Sequence, residues 1–118
     1  MNILIVDDDP LQASLLVDIF NINNYSAVGV HSGTEALQLM KKKPYEVVLS
    51  DIRMPEMDGV ELCRKVKATH PEIVFILMTA YAGDELVMKG MQAGALITMS
   101  KPLEIEQLIY QITLLARK

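Results

Sequence analysis

Residues 3–10 read Ile3-Leu4-Ile5-Val6-Asp7-Asp8-Asp9-Pro10, an apolar run that meets three acids and then a proline. A continuous run of this length, without polar alternation, suits a strand buried on both faces. Asp9-Pro10 has the form of a helix N-cap followed by proline at the first helical position. Strand, acidic end and helix start thus follow one another within a few residues, and the same unit recurs downstream. Apolar runs stand at Ala27-Val28-Gly29-Val30, Val47-Val48-Leu49, Ile73-Val74-Phe75-Ile76-Leu77-Met78 and Leu96-Ile97-Thr98-Met99. Between them the apolar residues fall at helical spacing: Leu11, Leu15, Leu16, Ile19 and Phe20 after the first run, and Leu103, Leu108, Ile109, Ile112 and Leu115 after the last.

Strand then helix, repeated, is the pattern of a parallel sheet covered on two sides, an α/β doubly wound fold. The spacing predicts strands near 2–6, 26–30, 46–50, 73–78 and 96–99, and helices near 10–23, 33–42, 58–69, 84–93 and 104–117. Ser32 with Glu35 has the spacing of a capping box, Asp58 suits the cap of the third helix, and Lys43-Pro44 and His70-Pro71 suit helix ends. Met88, Met91 and Met99 read as core residues and Cys63 as an inert, partly buried small one.

Composition narrows the function. One domain fits 118 residues, and 51% hydrophobic against 22% charged residues supplies enough apolar surface for a core, which excludes disorder. Eleven Lys and Arg against fifteen Asp and Glu give a net charge of -4, the wrong sign for neutralising nucleic-acid phosphates, so direct nucleic-acid binding is not expected. The single cysteine cannot form an internal disulfide. No apolar stretch approaches the ~20 residues that span a bilayer, and Asp7 interrupts the first run too early for a signal peptide. The expectation is a cytoplasmic protein with no membrane association.

Parallel strands joined by right-handed crossovers share one C-terminal edge, and ligands of open α/β sheets bind outside it. Asp7-Asp8-Asp9, Ser50-Asp51, Thr79 and Ser100-Lys101-Pro102 all follow strands and so converge there. Carboxylates at the ~5 Å spacing of adjacent strands repel unless a cation offsets them. Mg²⁺, which takes one or two protein carboxylates and completes its shell with water and phosphate oxygens, meets that need. An aspartate can then serve as nucleophile toward phosphorus, with a lysine and a hydroxyl countering charge on the equatorial oxygens. Asp51, Lys101 and Thr79 fit those roles.

Taken together, Val6-Asp7-Asp8-Asp9, Ser50-Asp51-Ile52-Arg53-Met54-Pro55 continuing to Met57-Asp58-Gly59, Met78-Thr79-Ala80 and Ser100-Lys101-Pro102 resemble the receiver domain of bacterial two-component response regulators. The likeness, to chemotaxis-type receivers, covers nearly the whole chain, so residues 1–118 are expected to form one receiver domain. It implies a flavodoxin-like sheet of order 2-1-3-4-5 with five helices, and a sensor histidine kinase or histidine phosphotransfer protein as phosphoryl donor. It further implies Asp51 as phosphoacceptor, Asp8 and Asp51 as carboxylate ligands of Mg²⁺, Asp7 orienting its water, the backbone carbonyl of Arg53 completing the ligand set, Thr79 as switch hydroxyl and Lys101 as counter-ion. Pro102 resembles the family's cis-bonded proline, which aims the lysine inward. The chain departs from the pattern at Thr98, where receivers usually carry Tyr or Phe.

The face made by the fourth helix, fifth strand and fifth helix commonly binds the output domain, a partner protein or a second receiver in this family, giving a phosphorylation-dependent homodimer. Here Leu86, Val87, Met88, Met91, Leu96, Ile97 and Met99 exceed what one core stripe needs, so some are expected to stay exposed. With Thr98 lacking a ring, the shift is expected in the loop from Ala80 to Asp84. Two other functions compete. A haloacid-dehalogenase-type Mg-dependent phosphatase also uses Asp, Lys, Thr or Ser and an α/β sheet, but here Leu11 replaces the Thr or Val of its first motif and no acidic pair follows Lys101. The other is a receiver that docks partners without phosphorylation.

Overall fold

A computed structural model of the chain describes residues 1–81 and 83–116. Strands and helices alternate as β1 (Asn2–Val6), α1 (Pro10–Ile22), β2 (Ser26–Val30), α2 (Gly33–Met40), β3 (Val47–Asp51), α3 (Gly59–Thr69), β4 (Val74–Thr79), α4 (Leu86–Ala93), β5 (Ile97–Ser100) and α5 (Ile105–Ala116). All strand pairs are parallel, in the order β2-β1-β3-β4-β5. This is the flavodoxin-like sheet that the resemblance implied. The alternation of side chains along a strand explains why the runs are apolar throughout. Leu4, Val6, Val48, Phe75 and Leu77 face one layer with Ala36, Val60, Cys63 and Val66. Ile3, Ile5, Val47, Leu49, Ile76 and Met78 face the other, with Ala13, Leu16, Phe20, Leu108 and Ile112.

The boundaries differ from expectation by small, explicable amounts. β3, β4 and β5 each run one residue further, so Asp51, Thr79 and Ser100 close their strands rather than follow them. That holds their backbones in the ladder, with Asp51 beside Met78 and Thr79 beside Ser100. α2 stops at Met40, and Lys41 and Lys42 continue only as a tightened turn donating to Gln38 and Leu39. α4 starts at Leu86, whose N–H donates to the Asp84 carboxylate at 2.9 Å. The expected last residue of α5, 117, lies outside the described residues.

Caps behave as read. The Asp9 carboxylate accepts from Leu11 N–H at 3.0 Å and that of Asp58 from Glu61 N–H at 2.8 Å. Ser32 accepts from Glu35 N–H at 3.1 Å, but the Glu35 carboxylate takes the Ser32 hydroxyl at 3.0 Å instead of the backbone N–H of a full capping box.

The buried stripe of α1 is narrower than its apolar spacing, and one packing expectation, on α4, is corrected. On α1 the buried stripe is Ala13, Leu16 and Phe20, while Leu11 is 81% and Leu15 57% exposed, because the helical spacing of all five apolar residues spans more arc than the sheet covers. On α4, Met88 and Met91 face out, since Gly90 seats the helix against the Leu77 side chain and turns them away from the sheet. Met99 packs partly buried on the α1 and α5 layer. Cys63 is fully buried, its Sγ 3.7 Å from the Ala93 carbonyl, and burial pushes its thiol up to about 11.

Candidate functional site

β3 lies at the centre of the sheet with β1 beside it and parallel to it, so the chain leaves both strands at one edge and side by side. Val6 pairs with Ser50, which sets Asp7 and Asp51 on neighbouring strand ends. Asp7, Asp8 and Asp51 each offer a carboxylate oxygen, all within 4.8 Å of one another. Their surroundings differ. Asp7 is completely buried and accepts from Asp9 N–H at 3.0 Å, Asp51 is half-buried, and Asp8 faces solvent.

Lys101 reaches this cluster from the end of β5, two strands away from Asp51. Its Nζ lies 3.1 Å from Asp7 and 3.3 Å from Asp51, so the long side chain covers the distance. The Lys101-Pro102 bond is cis. Burial pulls the ammonium's affinity for its proton down, but Asp51 and Asp7 together raise it above the ordinary lysine value. Asp51 moves the other way from a typical salt-bridged acid. Burial first, and then Asp7, raise its carboxyl from 3.8 to about 6, outweighing Lys101, with Asp8 adding to the rise. One lysine therefore does not offset three acids. Hard carboxylate oxygens carrying surplus negative charge are the donor set that a divalent cation such as Mg²⁺ fits.

Thr79 is buried at the end of β4, and its hydroxyl donates to the Tyr81 carbonyl at 2.9 Å, so it faces its own loop. Thr98 sits half-buried on β5 with its hydroxyl 3.7 Å from the Met91 sulfur. A cleft of about 880 Å³ beside Met1, Tyr45, Glu46 and Ile73 touches none of Asp7, Asp8, Asp51 and Lys101. His31 and His70 belong to no metal-ligating cluster among the described residues.

Arg53 carries an interaction that the sequence reading did not foresee. Its Nε and second terminal nitrogen donate to the two oxygens of Asp84 at 2.9 and 2.8 Å. The Asp84 side chain is 1% exposed, and it also accepts from Leu86 N–H at 2.9 Å. The guanidinium beside it, opposed by burial and helped by the Leu86 N–H, holds the carboxyl below the usual carboxylate value. Asp84 stood only as the expected first residue of the fourth helix, a position that says nothing of a partner 31 residues away.

The model of the response regulator receiver domain matches residues 3–113. The chain is 35% identical over 108 residues to the transcriptional regulatory protein ZraR of Salmonella typhimurium, covering 92% of this chain and 24% of that protein. It is 34% identical to sporulation initiation phosphotransferase F of Bacillus subtilis, covering 90% of this chain and 86% of that protein. Among solved structures, the BeF3-activated DrrB receiver domain superposes with a TM-score of 0.90 at 29% identity, over 99% of this chain and 97% of the other. The chain spans about a quarter of the length of the ZraR proteins it matches. These relatives are response regulators and not haloacid-dehalogenase phosphatases, which removes the phosphatase alternative. With the acids, the lysine and the hydroxyl gathered at the strand ends of a 2-1-3-4-5 sheet, the chain belongs to the response regulator receiver domain family, the phosphorylation-controlled switch modules of two-component signalling.

Proposed function

We propose that Asp51 is the phosphoacceptor of this receiver and that Asp8 and Asp51, through their carboxylates, and Arg53, through its backbone carbonyl, are the residues that hold Mg²⁺, with Asp7 supporting them from its buried position. The observation that carries this reading is the cluster of Asp7, Asp8 and Asp51 with Lys101 bonded across it. Bound there, Mg²⁺ supplies the positive charge that lets an anionic phosphoryl group approach three carboxylates. The Asp51 carboxylate oxygen forms the new O–P bond while the P–N bond of a donor phosphohistidine breaks, its electron pair leaving on the imidazole nitrogen. Lys101 counters charge on the equatorial oxygens. Thr79 gives up its bond to Tyr81 and turns its hydroxyl toward the phosphoryl group. Attack of water at phosphorus later breaks the O–P bond and restores the carboxylate, so both transfers are catalysed by the domain itself.

The donor is a sensor histidine kinase or a histidine phosphotransfer protein. The output surface is the face of α4, β5 and α5, where Met88, Met91, Leu96, Tyr110 and Leu114 are exposed, and it serves an output domain, a partner protein or a second copy in the phosphorylated state. We place the domain in the cytoplasm, where kinase and nucleotide meet, and take residues 1–118 as one receiver unit; no helix among the described residues is long and apolar enough to cross a membrane. Incubation with acetyl phosphate and Mg²⁺ tests the assignment. Intact-mass analysis should find one acid-labile phosphoryl group on the wild type and none on Asp51→Asn. Equal labelling of both sinks the assignment, and no labelling of a folded wild type favours a docking module that works without phosphorylation.

A further inference from the structure

The start of α4 is held in an unusual way. Glu85, the residue at the cap position of α4, makes no capping bond with its side chain. Asp84 performs that task, accepting from Leu86 N–H at 2.9 Å while its backbone carbonyl accepts from Val87 N–H at 3.1 Å. The same carboxylate is gripped by both arms of the Arg53 guanidinium. A paired fork fixes orientation as well as distance. A carboxylate that is 1% exposed also cannot release its partner cheaply, because the charge left behind would be buried and unpaired.

The other end of this link is tied to the phosphorylation site. Arg53 follows Asp51 by two residues, and the residue between them is fixed on both sides, Ile52 N–H donating to the Met78 carbonyl and Ile52 accepting from Gly59 N–H, each at 2.8 Å. A displacement of the backbone after Asp51 therefore moves the Arg53 fork, and the fork either carries Asp84 and the first turn of α4 with it or breaks. β5, Ile97-Thr98-Met99-Ser100, carries no aromatic ring.

We propose that the Arg53–Asp84 pair is the positioning link that transmits phosphorylation at Asp51 to the N-terminus of α4. It rests on the reading of Asp51 as phosphoacceptor and adds the route by which that site reaches the output face. The link works from the loop after β3 directly to the loop before α4, in parallel with Thr79, whose hydroxyl belongs to β4.

Amide exchange of the whole chain, with and without saturating Mg²⁺ and beryllofluoride as phosphoryl mimic, tests the link. In the wild type, the mimic should change exchange both at the strand ends around residues 7–9 and across residues 86–93. Asp84→Asn keeps an oxygen for the Leu86 N–H but loses the charge pair. It should retain the change at residues 7–9 while the change at 86–93 falls at least fivefold, the lower end of ordinary allosteric coupling. Asp84→Glu, which restores the charge, should recover part of the response at residues 86–93, a pattern that mere loosening of α4 does not produce. Working at saturation keeps any change in affinity out of the comparison. An α4 response in Asp84→Asn within twofold of wild type overturns the proposal, as does a wild type that responds at residues 7–9 and not at 86–93. A wild type that responds nowhere overturns the assignment of the phosphorylation site itself, and the link falls with it.

Discussion

Replacing Asp51 with asparagine isolates what it costs the fold to keep a charge between two other acids. In the free domain, burial and then the Asp7 carboxylate raise the Asp51 carboxyl from 3.8 to about 6, against the pull of Lys101. Between about pH 4 and pH 6 the folded protein thus keeps a proton that the unfolded chain has released, so stability falls as the pH rises through that window and stays lower above it. At about 1.4 kcal/mol for each tenfold change in proton affinity, the gap between 3.8 and about 6 sets a ceiling of about 3 kcal/mol. The Asp51 side chain is 14% exposed, so solvent screens only part of this, and we expect roughly 1–3 kcal/mol. Asp51→Asn has the same shape and cannot ionise. In EDTA at pH 7 it should be more stable than wild type by that amount, and the advantage should vanish near pH 4. Urea unfolding followed by circular dichroism at pH 4, 5, 6 and 7 measures it. Excess Mg²⁺ at pH 7 should then stabilise the wild type more than the variant. An advantage that is the same at every pH, or an Asp51→Asn protein less stable than wild type at pH 7, refutes the electrostatic account.

Three further outcomes follow from the geometry. Asp8→Ala should weaken Mg²⁺ affinity more than tenfold, since losing a direct anionic ligand should exceed ~1.4 kcal/mol, and a calorimetric titration with unchanged affinity would mean the ion binds elsewhere. Gly59→Ala places a methyl against the Asp51 carbonyl, 2.9 Å from a Leu77 methyl and 3.0 Å from the Ile52 Cα, so it should destabilise by roughly 1–3 kcal/mol although alanine favours helices; a change within ~0.5 kcal/mol in urea would contradict the close approach of α3 to β3. Asp58→Ala removes the cap bond to Glu61 N–H and should cost about 1 kcal/mol in the same assay, with Asp58→Asn recovering most of it and an equal loss in both pointing away from capping.

The fold was legible because burial on both faces leaves a direct mark, apolar runs without alternation, and because the acids, the hydroxyl and the lysine each stand where such a run ends. The order of the strands was not in that pattern and came only with the resemblance. Side chains around Asp51 were legible as a set, and the bonds of Lys101 to Asp7 and Asp51 agree with it. What the sequence hid is of two kinds. Leu11, Leu15, Met88 and Met91 obey helical spacing as well as their buried neighbours do, and only the seating of each helix on the sheet decides which arc is covered. The contact of Arg53 with Asp84, and the turn of Thr79 toward Tyr81, depend on how two loops meet in space, and no local periodicity records that.

Cys63 gives the domain a built-in clock. Its thiol lies sealed in the layer beneath α3, beside Ala93 at the end of α4, and is held protonated well above neutral pH. Only the thiolate reacts with alkylating reagents, and none can reach it while α3 and α4 stay closed over the sheet. The rate of labelling of the native chain therefore counts openings of that layer, with no added probe. It also leaves the surface clear: a cysteine introduced at an exposed position such as Met88 can carry a dye or spin label in a protein whose own thiol stays out of reach until the fold opens.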